Sequence, residues 1–190
     1  MLDDKESVVE MSENLASFYR YTTRVENQLV TIREELEMVN HYLTIQNLRM
    51  QRLVSKISVP DNMMELRIPR LILQPLVENA IIHGIERKVE GGLIRITGEQ
   101  DNKFNRIIIE DNGLGMTLEG VKRLQSKLDL PMSEEIGCGT WNVHQRLYYQ
   151  FGEGSGIVFH PISTGGLKVV ISWSRKELES KTTQSNSREE

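Results

Sequence analysis

The sequence lacks several features that define common classes of protein. It has one cysteine, Cys138, among 190 residues, so no internal disulfide can form and a reducing compartment is expected. No run approaches the roughly 18 apolar residues of a membrane-spanning helix, and the N-terminus MLDDKESVVE has no signal-peptide pattern. The formal net charge of −4 does not indicate a general nucleic-acid-binding surface. Together these absences predict a cytosolic protein.

Several catalytic motifs are also missing. The chain has no G-x-x-x-x-G-K-[ST] phosphate loop, no G-x-S-x-G nucleophile elbow, no C-x-x-C pair and no H-E-x-x-H zinc motif. Its histidines are scattered without the spacing of metal ligands: His41, His83, His144 and His160. A Walker-type nucleotide site is therefore excluded, and a hydrolase or a zinc enzyme is disfavoured.

The first part of the chain, up to Gln51, contains neither glycine nor proline and predicts helix. Thr31 and Glu34 have the spacing of a capping box at a helix start. An apolar stripe with helical spacing follows them: Ile32, Leu36, Val39, Leu43 and Met50. A looser stripe precedes them: Val8, Met11, Leu15 and Phe18. We expect two helices, or one interrupted near Asn27, which dock on the following domain or pair with a second chain.

Strand and helix patterns alternate in the rest of the chain. LVSKISV predicts a strand ended by Pro60, and Pro69 is expected at the first position of the helix containing LQPLVENAIIHGIE. GGLIRITGEQ and FNRIIIEDNG predict one strand pair, and GSGIVFHP and GGLKVVISWS predict another. Two more helices are predicted, TLEGVKRLQSKL beginning at Thr117 and TWNVHQRLYYQF entered through Gly137 and Gly139.

These elements predict an α/β fold. Strands joined by short turns are antiparallel, so a doubly wound parallel sheet is excluded. The simplest arrangement is a two-layer sandwich with a mixed, largely antiparallel sheet and a helical layer, preceded by the N-terminal helices. The DLPMSEEIGCG segment is expected to be a loop, and the polar tail from Ser174 is expected to be disordered.

The helix Leu73–Glu86 is apolar nearly all round, yet it carries three polar residues close together. Asn79 and His83 are four positions apart and lie on one face of a helix, with Glu78 one position away. An amide oxygen and a nearby carboxylate are hard ligands suited to Mg²⁺, which is commonly shared with substrate phosphates. By itself the trio fits either a metal site or a polar edge of the fold.

The EDNGLGM motif directly follows an apolar strand. At the strand end, Asp111 could accept a hydrogen bond from an exocyclic amine such as that of adenine. Gly113 and Gly115, followed by Met116, would let the backbone approach a flat ring closely. The alternative is an ordinary turn, because D-N-G is a strong turn signal.

The GCGTWN motif leads into a helix. The N–H groups at a helix start favour an anion, and Thr140 and Asn142 could add side-chain donors. The alternative is a flexible linker that enters an ordinary amphipathic helix. Taken together, the three motifs could surround one nucleotide, supplying a metal ligand, a base site and a phosphate cradle in that order. The loop between the last two would then serve as a lid.

The chain resembles the GHKL ATP-binding family, and more closely the sensor histidine kinases of the LytS/YesM type. The resemblance lies in YRYT, VTIREELEMVNHYLTIQNLRMQ, LQPLVENAIIHGI, EDNGLGM and GCGTWNVHQRL, spread over residues 15–154. It implies a Bergerat-type sandwich that binds Mg–ATP between a helix layer and a flexible lid. Kinases of this family transfer the γ-phosphate to a histidine on a dimeric helical domain, which passes it to a response regulator. The expected location is the cytosolic end of a membrane-bound sensor.

The resemblance also implies roles for individual residues. Asn79 would bind Mg²⁺, Glu78 would be the catalytic carboxylate that polarises the attacking group, and His83 would line the phosphate side. Asp111 would bind the adenine amine, the glycines of GCG would form the far hinge of the lid, and Asn142 would face the phosphates. The cofactor-binding residues are then Asn79, His83, Asp111, Gly113, Gly115, Met116, Gly137, Gly139, Thr140 and Asn142.

Two places depart from the family pattern. Ile82 stands where the family often has a basic residue. Thr140 and Trp141 stand where it commonly has leucine and then a basic or small residue. These positions concern the contacts to the phosphates rather than the metal and adenine positions.

The resemblance also divides the chain. Residues 1–52 would be the end of the dimerisation and phosphoacceptor region, 53–174 the ATP-binding domain and 175–190 a tail. The family's P-H-F-like phosphoacceptor stretch does not occur, so the chain is expected not to phosphorylate itself. Expected partners are ATP, the phosphoacceptor histidine domain, a response regulator and a second copy bound through the N-terminal helices. Two alternatives stay open: a scaffold without turnover, and an ATPase domain of the gyrase or MutL kind.

Overall fold

A computed structural model describes residues 29–88, 90–129 and 138–175. The predictions made for the stripe before Asn27, for Gly137 and the lid loop around it, and for the tail after Arg175 lie outside these residues. In chain order the elements are β1 (Leu29–Thr31), α1 (Ile32–Met50), β2 (Leu53–Ser58), α2 (Asp61–Met64), β3 (Arg67–Pro69), α3 (Leu73–Asn79), a π-helical segment (Ala80–Ile85), β4 (Gly92–Gln100), β5 (Phe104–Asp111), α4 (Leu118–Leu128), α5 (Cys138–Phe151), β6 (Gly156–Pro161) and β7 (Leu167–Ser174).

Helix α1 begins with the capping box that the sequence predicts. The Thr31 hydroxyl accepts a hydrogen bond from the Glu34 N–H at 3.2 Å, and the Glu34 carboxylate accepts one from the Thr31 N–H at 2.8 Å. The predicted stripe packs in the main core, where Ile32, Leu36, Val39 and Leu43 are buried. Helix α1 therefore docks on the domain that follows it, which is one of the two arrangements that the stripe allowed.

The main sheet has five strands in the order β2-β4-β5-β7-β6. β2 runs parallel to β4, and the other neighbouring pairs are antiparallel. The predicted turn between β4 and β5 is closed by Asp101, whose carboxylate accepts hydrogen bonds from Lys103 N at 2.7 Å and Phe104 N at 2.8 Å. The prediction of a mixed, largely antiparallel sheet with two hairpins is confirmed.

The hydrophobic core lies between one face of this sheet and the helices. Alternating residues of four strands point into it: Ile94, Ile96, Ile107, Ile109, Ile157, Val169 and Ile171. On the other face Glu110 lies 3.7 Å from Arg95 and 3.8 Å from Lys168. The molecule is thus the two-layer α/β sandwich that the sequence predicts. No helix in the described ranges is both long and apolar enough to cross a membrane.

The small sheet formed by β1 and β3 was not predicted, and it corrects the expectation for Pro69. Pro69 is the last residue of β3, where it pairs with Leu29, and α3 begins at Leu73 rather than at the proline. Between them Leu71 has a left-handed backbone with φ of 55°. The prediction from Pro69 was wrong because a long-range cap, described below, fixes the start of α3.

His144 joins α5 to β6. Its Nδ1 accepts a hydrogen bond from Ile157 N at 3.1 Å, so this nitrogen must be unprotonated and the imidazole ring neutral. Burial lowers the pKa of His144, and the Asp129 carboxylate, 3.7 Å from Nε2, opposes this shift. The folded protein therefore binds a proton at His144 less readily than the unfolded chain does.

We expect the stability of the protein to fall between pH 7 and pH 5 because of His144. For a histidine whose pKa is lowered by folding, the full stability is present above the unfolded pKa of about 6.5 and is lost as the pH falls through it. Urea unfolding at both pH values measures this loss. His144→Asn, which keeps an acceptor near Nδ1, should reduce the difference, whereas the control His160→Asn at an exposed site should preserve it. Equal pH dependence in His144→Asn and the parent would contradict the assignment.

Candidate functional site

The helix that carries the polar trio is held at its start by a carboxylate from α1. Glu35, which is 1% exposed, accepts hydrogen bonds from Leu71 N at 2.7 Å, Ile72 N at 2.9 Å and Leu73 N at 2.9 Å. The first N–H groups of a helix have no partner within the helix and attract a negative charge. Glu35 therefore anchors the start of α3 on α1.

Sequence reasoning missed Glu35, although a signal was present. Glu35 lies three residues after Ile32 and four before Val39, in the middle of the apolar stripe of α1. A carboxylate is almost never fully buried without partners, so its place in that stripe indicates buried hydrogen-bond donors. What the sequence did not show is where on the chain those donors lie.

The chain widens from an α-helix to a π-helix immediately after Asn79. The Gly84 carbonyl within the π-helical segment accepts a hydrogen bond from Leu114 N at 3.1 Å, which ties the helix to the EDNGLGM loop. Segments of π-helix occur often at functional sites. Asn79 and His83 both line the cavity described below, although the local geometry is not the regular α-helix that the sequence predicts.

Glu78 has a hydrogen-bond partner on its own helix and lies near a tyrosine of α1. Its Oε1 accepts a hydrogen bond from Gln74 Nε2 at 2.7 Å, and Gln74 is itself buried. Burial, and next the nearby charge of Glu78, raise the pKa of Tyr42 on α1 to about 12. Glu78 therefore lies beside the interface of α1 and α3 and is not among the residues that line the cavity.

The EDNGLGM loop places a buried carboxylate at the end of β5. Asp111 is 5% exposed, and its Oδ1 accepts a hydrogen bond from Gly113 N at 2.8 Å. Burial raises the pKa of the Asp111 carboxyl, while the backbone N–H groups of Gly113 and Leu167 partly oppose this. Burial makes the charge costly unless a further donor meets it.

Two glycines of this loop are required by close backbone contacts. A Cβ atom on Gly113 would overlap the backbone of Gly84 in the π-helical segment. Gly115 has φ of +71°, and a Cβ there would lie 2.6 Å from the Gly166 carbonyl oxygen. The sequence motif suggested both glycines, but it gave no indication of the contacting Gly84 and Gly166.

Helix α5 brings the GCGTWN motif against α3. Its buried Thr140 accepts a hydrogen bond through Oγ1 from Asn79 Nδ2 at 2.9 Å. A Cβ on Gly139 would lie 3.4 Å from Pro75, so the first turn of α5 packs closely on the first turn of α3. Asn142 is exposed and does not line the cavity.

A cavity of about 250 Å³ lies between these elements. The residues that line it are Leu76, Asn79, Ala80, His83, Gly84, Asp111, Gly115, Met116, Leu124, Thr140, Phe159, Leu167 and Val169. Six of the predicted cofactor-binding residues are among them: Asn79, His83, Asp111, Gly115, Met116 and Thr140. An apolar wall with a few converging polar groups is typical of a small-molecule site.

The described residues of the cavity offer too few ligands to hold a cation by themselves. In the described ranges no group of three or more His, Cys, Asp or Glu side chains could bind a metal. Asn79 offers one neutral oxygen, since its Nδ2 is engaged by Thr140 and its Oδ1 has no hydrogen bond within the described residues. Such a site suits Mg²⁺, which keeps several waters and takes further oxygens from bound phosphates.

Several solved structures that are similar to this fold are histidine kinases. Histidine kinase AdeS of Acinetobacter baumannii matches with a TM-score of 0.55 and 19% identity, over 93% of this chain and 81% of AdeS. Histidine kinase ThkA, in complex with response regulator protein TrrA, matches with a TM-score of 0.57 and 17% identity, over 90% of this chain and 49% of that chain. The fold is therefore that of the histidine kinase catalytic domains.

Sequence comparison finds relatives of higher identity than the solved structures. A family model described as histidine kinase matches residues 1–54. Sensor histidine kinase YesM of Bacillus subtilis is 32% identical over 170 residues, which cover 89% of this chain and 28% of YesM. Sensor histidine kinase BtsS of Escherichia coli K12 is 31% identical over 155 residues, covering 81% of this chain and 25% of BtsS. The chain belongs to the sensor histidine kinase family, and it spans about a quarter of these relatives.

Proposed function

We propose that this chain is the ATP-binding catalytic domain of a two-component sensor kinase and that Mg–ATP occupies the cavity. The observation that supports this proposal is the convergence of three motifs that are distant in sequence. Asn79 on α3, Asp111 at the end of β5 and Thr140 on α5 line one cavity. The alternative interpretations of the three motifs, namely a polar helix edge, an ordinary turn and a flexible linker, would not require these residues to lie close together.

Each part of the cavity has a role in this proposal. Asp111 accepts the exocyclic amine of adenine against the apolar wall, and Asn79 holds Mg²⁺ through Oδ1. His83 lies on the phosphate side. Bound Mg²⁺ would neutralise charge on the phosphates, and phosphoryl transfer depends mainly on such positioning and neutralisation. The histidine kinase fold of the described residues is consistent with this arrangement.

The proposed reaction transfers the γ-phosphoryl group of ATP to a histidine on a helical phosphoacceptor domain: an N–P bond forms, the bond to the β-phosphate breaks, and ADP leaves. Glu78 polarises the attacking imidazole, and the bond from Gln74 fixes the carboxylate that does so. A response regulator is the proposed next acceptor, because ThkA forms a complex with the response regulator TrrA. We place the domain at the cytosolic end of a membrane-bound sensor.

A titration with a fluorescent ATP analogue, with Mg²⁺ and with EDTA, tests the proposal. Saturable binding that strengthens with Mg²⁺, and that unlabelled ATP displaces, is the expected result. Absence of saturable binding at millimolar analogue would reject the proposal and favour a scaffold that keeps the fold without the nucleotide.

Asn79→Ala is expected to remove most of the Mg²⁺-dependent part of this binding. Loss of a metal ligand should reduce the gain in affinity on adding Mg²⁺ by about tenfold or more. Binding in EDTA should change little, because the adenine contact to Asp111 is untouched. Asn40→Ala, at an exposed position of α1, is the matched control. If Mg²⁺ improved the affinity of Asn79→Ala and the parent equally, the metal assignment would be wrong.

A further inference from the structure

The hydrogen bond between Asn79 and Thr140 joins two elements that are far apart in sequence. Asn79 ends α3, and Thr140 lies in the first turn of α5. The donor Nδ2 and the acceptor Oγ1 are 2.9 Å apart, and Thr140 is 7% exposed. Both side chains line the cavity. Thr140 is buried and Asn79 is half-buried, so the bond is partly shielded from water.

An asparagine amide has a donor end and an acceptor end, and only the acceptor oxygen can bind a cation. Rotation of the amide by half a turn exchanges the two ends. In the structure Nδ2 donates to Thr140 Oγ1, and this orientation leaves Oδ1 without a hydrogen bond in the described part of the chain. A fixed orientation lowers the conformational entropy that metal binding would otherwise cost.

We propose that Thr140 is a positioning residue for the metal site, holding the Asn79 amide so that Oδ1 is presented to Mg²⁺ in the nucleotide complex. This inference rests on the proposed function, because it assumes that Mg–ATP occupies the cavity. The bond needs the Thr140 hydroxyl, which an apolar side chain at this position would not supply.

Thr140→Val and Thr140→Ser test the inference. Valine keeps the shape of threonine without the hydroxyl, and serine keeps the hydroxyl. In the analogue titration, Thr140→Val should reduce the Mg²⁺-dependent gain in affinity by about two- to tenfold, the range of one net hydrogen bond. Thr140→Ser should keep most of the Mg²⁺-dependent gain in affinity. In EDTA the affinities of the parent and both variants should agree within about twofold. Thr97→Val, on the sheet face turned away from the core, is the matched control.

A second measurement needs no nucleotide. In the ¹⁵N-labelled chain, the side-chain NH₂ protons of Asn79 should exchange with solvent more slowly in the parent and Thr140→Ser than in Thr140→Val. Thermal unfolding verifies that each variant is folded.

The outcomes are distinguishable. A Thr140→Val variant with the parental Mg²⁺ dependence, or one weakened equally with Mg²⁺ and in EDTA, overturns the inference alone. A parent chain that binds no nucleotide overturns the proposed function and this inference with it. Equal exchange of the Asn79 protons in all three proteins contradicts the hydrogen bond itself.

Discussion

Asp111→Asn is expected to weaken binding of the ATP analogue by about ten- to a hundredfold, equivalent to about 1.5–3 kcal/mol for a hydrogen bond to a charged group. The Asp111 carboxylate accepts the Gly113 N–H at 2.8 Å through Oδ1 and also faces the Leu167 N–H, so the adenine amine of the proposed complex would use its remaining acceptor capacity. Asparagine has one accepting oxygen and one NH₂ group, and that NH₂ group would meet the adenine amine donor to donor. Turning the amide round loses the Gly113 bond instead.

The same substitution should leave the fold as stable as the parent or more stable. Burial raises the pKa of Asp111 in the folded state, so at pH 7 the buried charge opposes folding, and a neutral side chain removes that cost. At pH 7, Asp111→Asn should therefore lower the affinity in the analogue titration and leave the free energy of unfolding in urea equal or higher. Glu110→Gln, next along β5 and on the other face of the sheet, is the control and should keep its affinity within about twofold. If Asp111→Asn bound the analogue with the affinity of the parent, the assignment of Asp111 to the adenine contact would be wrong.

Glu35→Ala is expected to lower the free energy of unfolding by about 3 kcal/mol or more, because three N–H groups, two buried and one part-buried, lose their acceptor. Glu35→Gln should lie between the parent and Glu35→Ala, since an amide keeps one accepting oxygen but turns NH₂ donors toward N–H donors. Urea unfolding at pH 7 measures both differences.

Glu37→Ala is the matched control for Glu35→Ala. Glu37 is exposed on the same helix, and its replacement should change the free energy of unfolding by less than about 0.5 kcal/mol. Similar losses in Glu35→Ala and Glu37→Ala would show that the carboxylate does not support α3.

Local sequence patterns predicted most of the fold. The alternating strands of both hairpins, the Thr31–Glu34 capping box and the N-cap of α4 at Thr117 depend on residues close together in sequence. For the same reason the turn at Asp101 was predictable. The candidate site was partly predictable, because Asn79, Asp111 and Thr140 belong to recognisable motifs and all line the cavity.

What the sequence did not predict depends on contacts between distant segments. Pro69 has the local signature of a helix start, but Glu35 on α1 fixes that start at Leu73. The three residues of β1 are too few to show a period, and they form a strand only because β3 lies beside them. The contact between Gly84 and Gly113 likewise becomes visible only when helix and loop are packed.

The parallel pairing of β2 with β4 has a consequence for cooperativity. A short turn closes each hairpin, whereas this pair closes a long loop that includes α2, β3, α3 and the π-helical segment. Loop closure costs more chain entropy as the loop lengthens, although the increase is slow. Asn79 lies within this long loop, whereas Asp111 lies in the β4–β5 hairpin. We therefore expect the two residues to belong to different units of local unfolding. A nucleotide that contacts both would link the two units and slow hydrogen exchange in each.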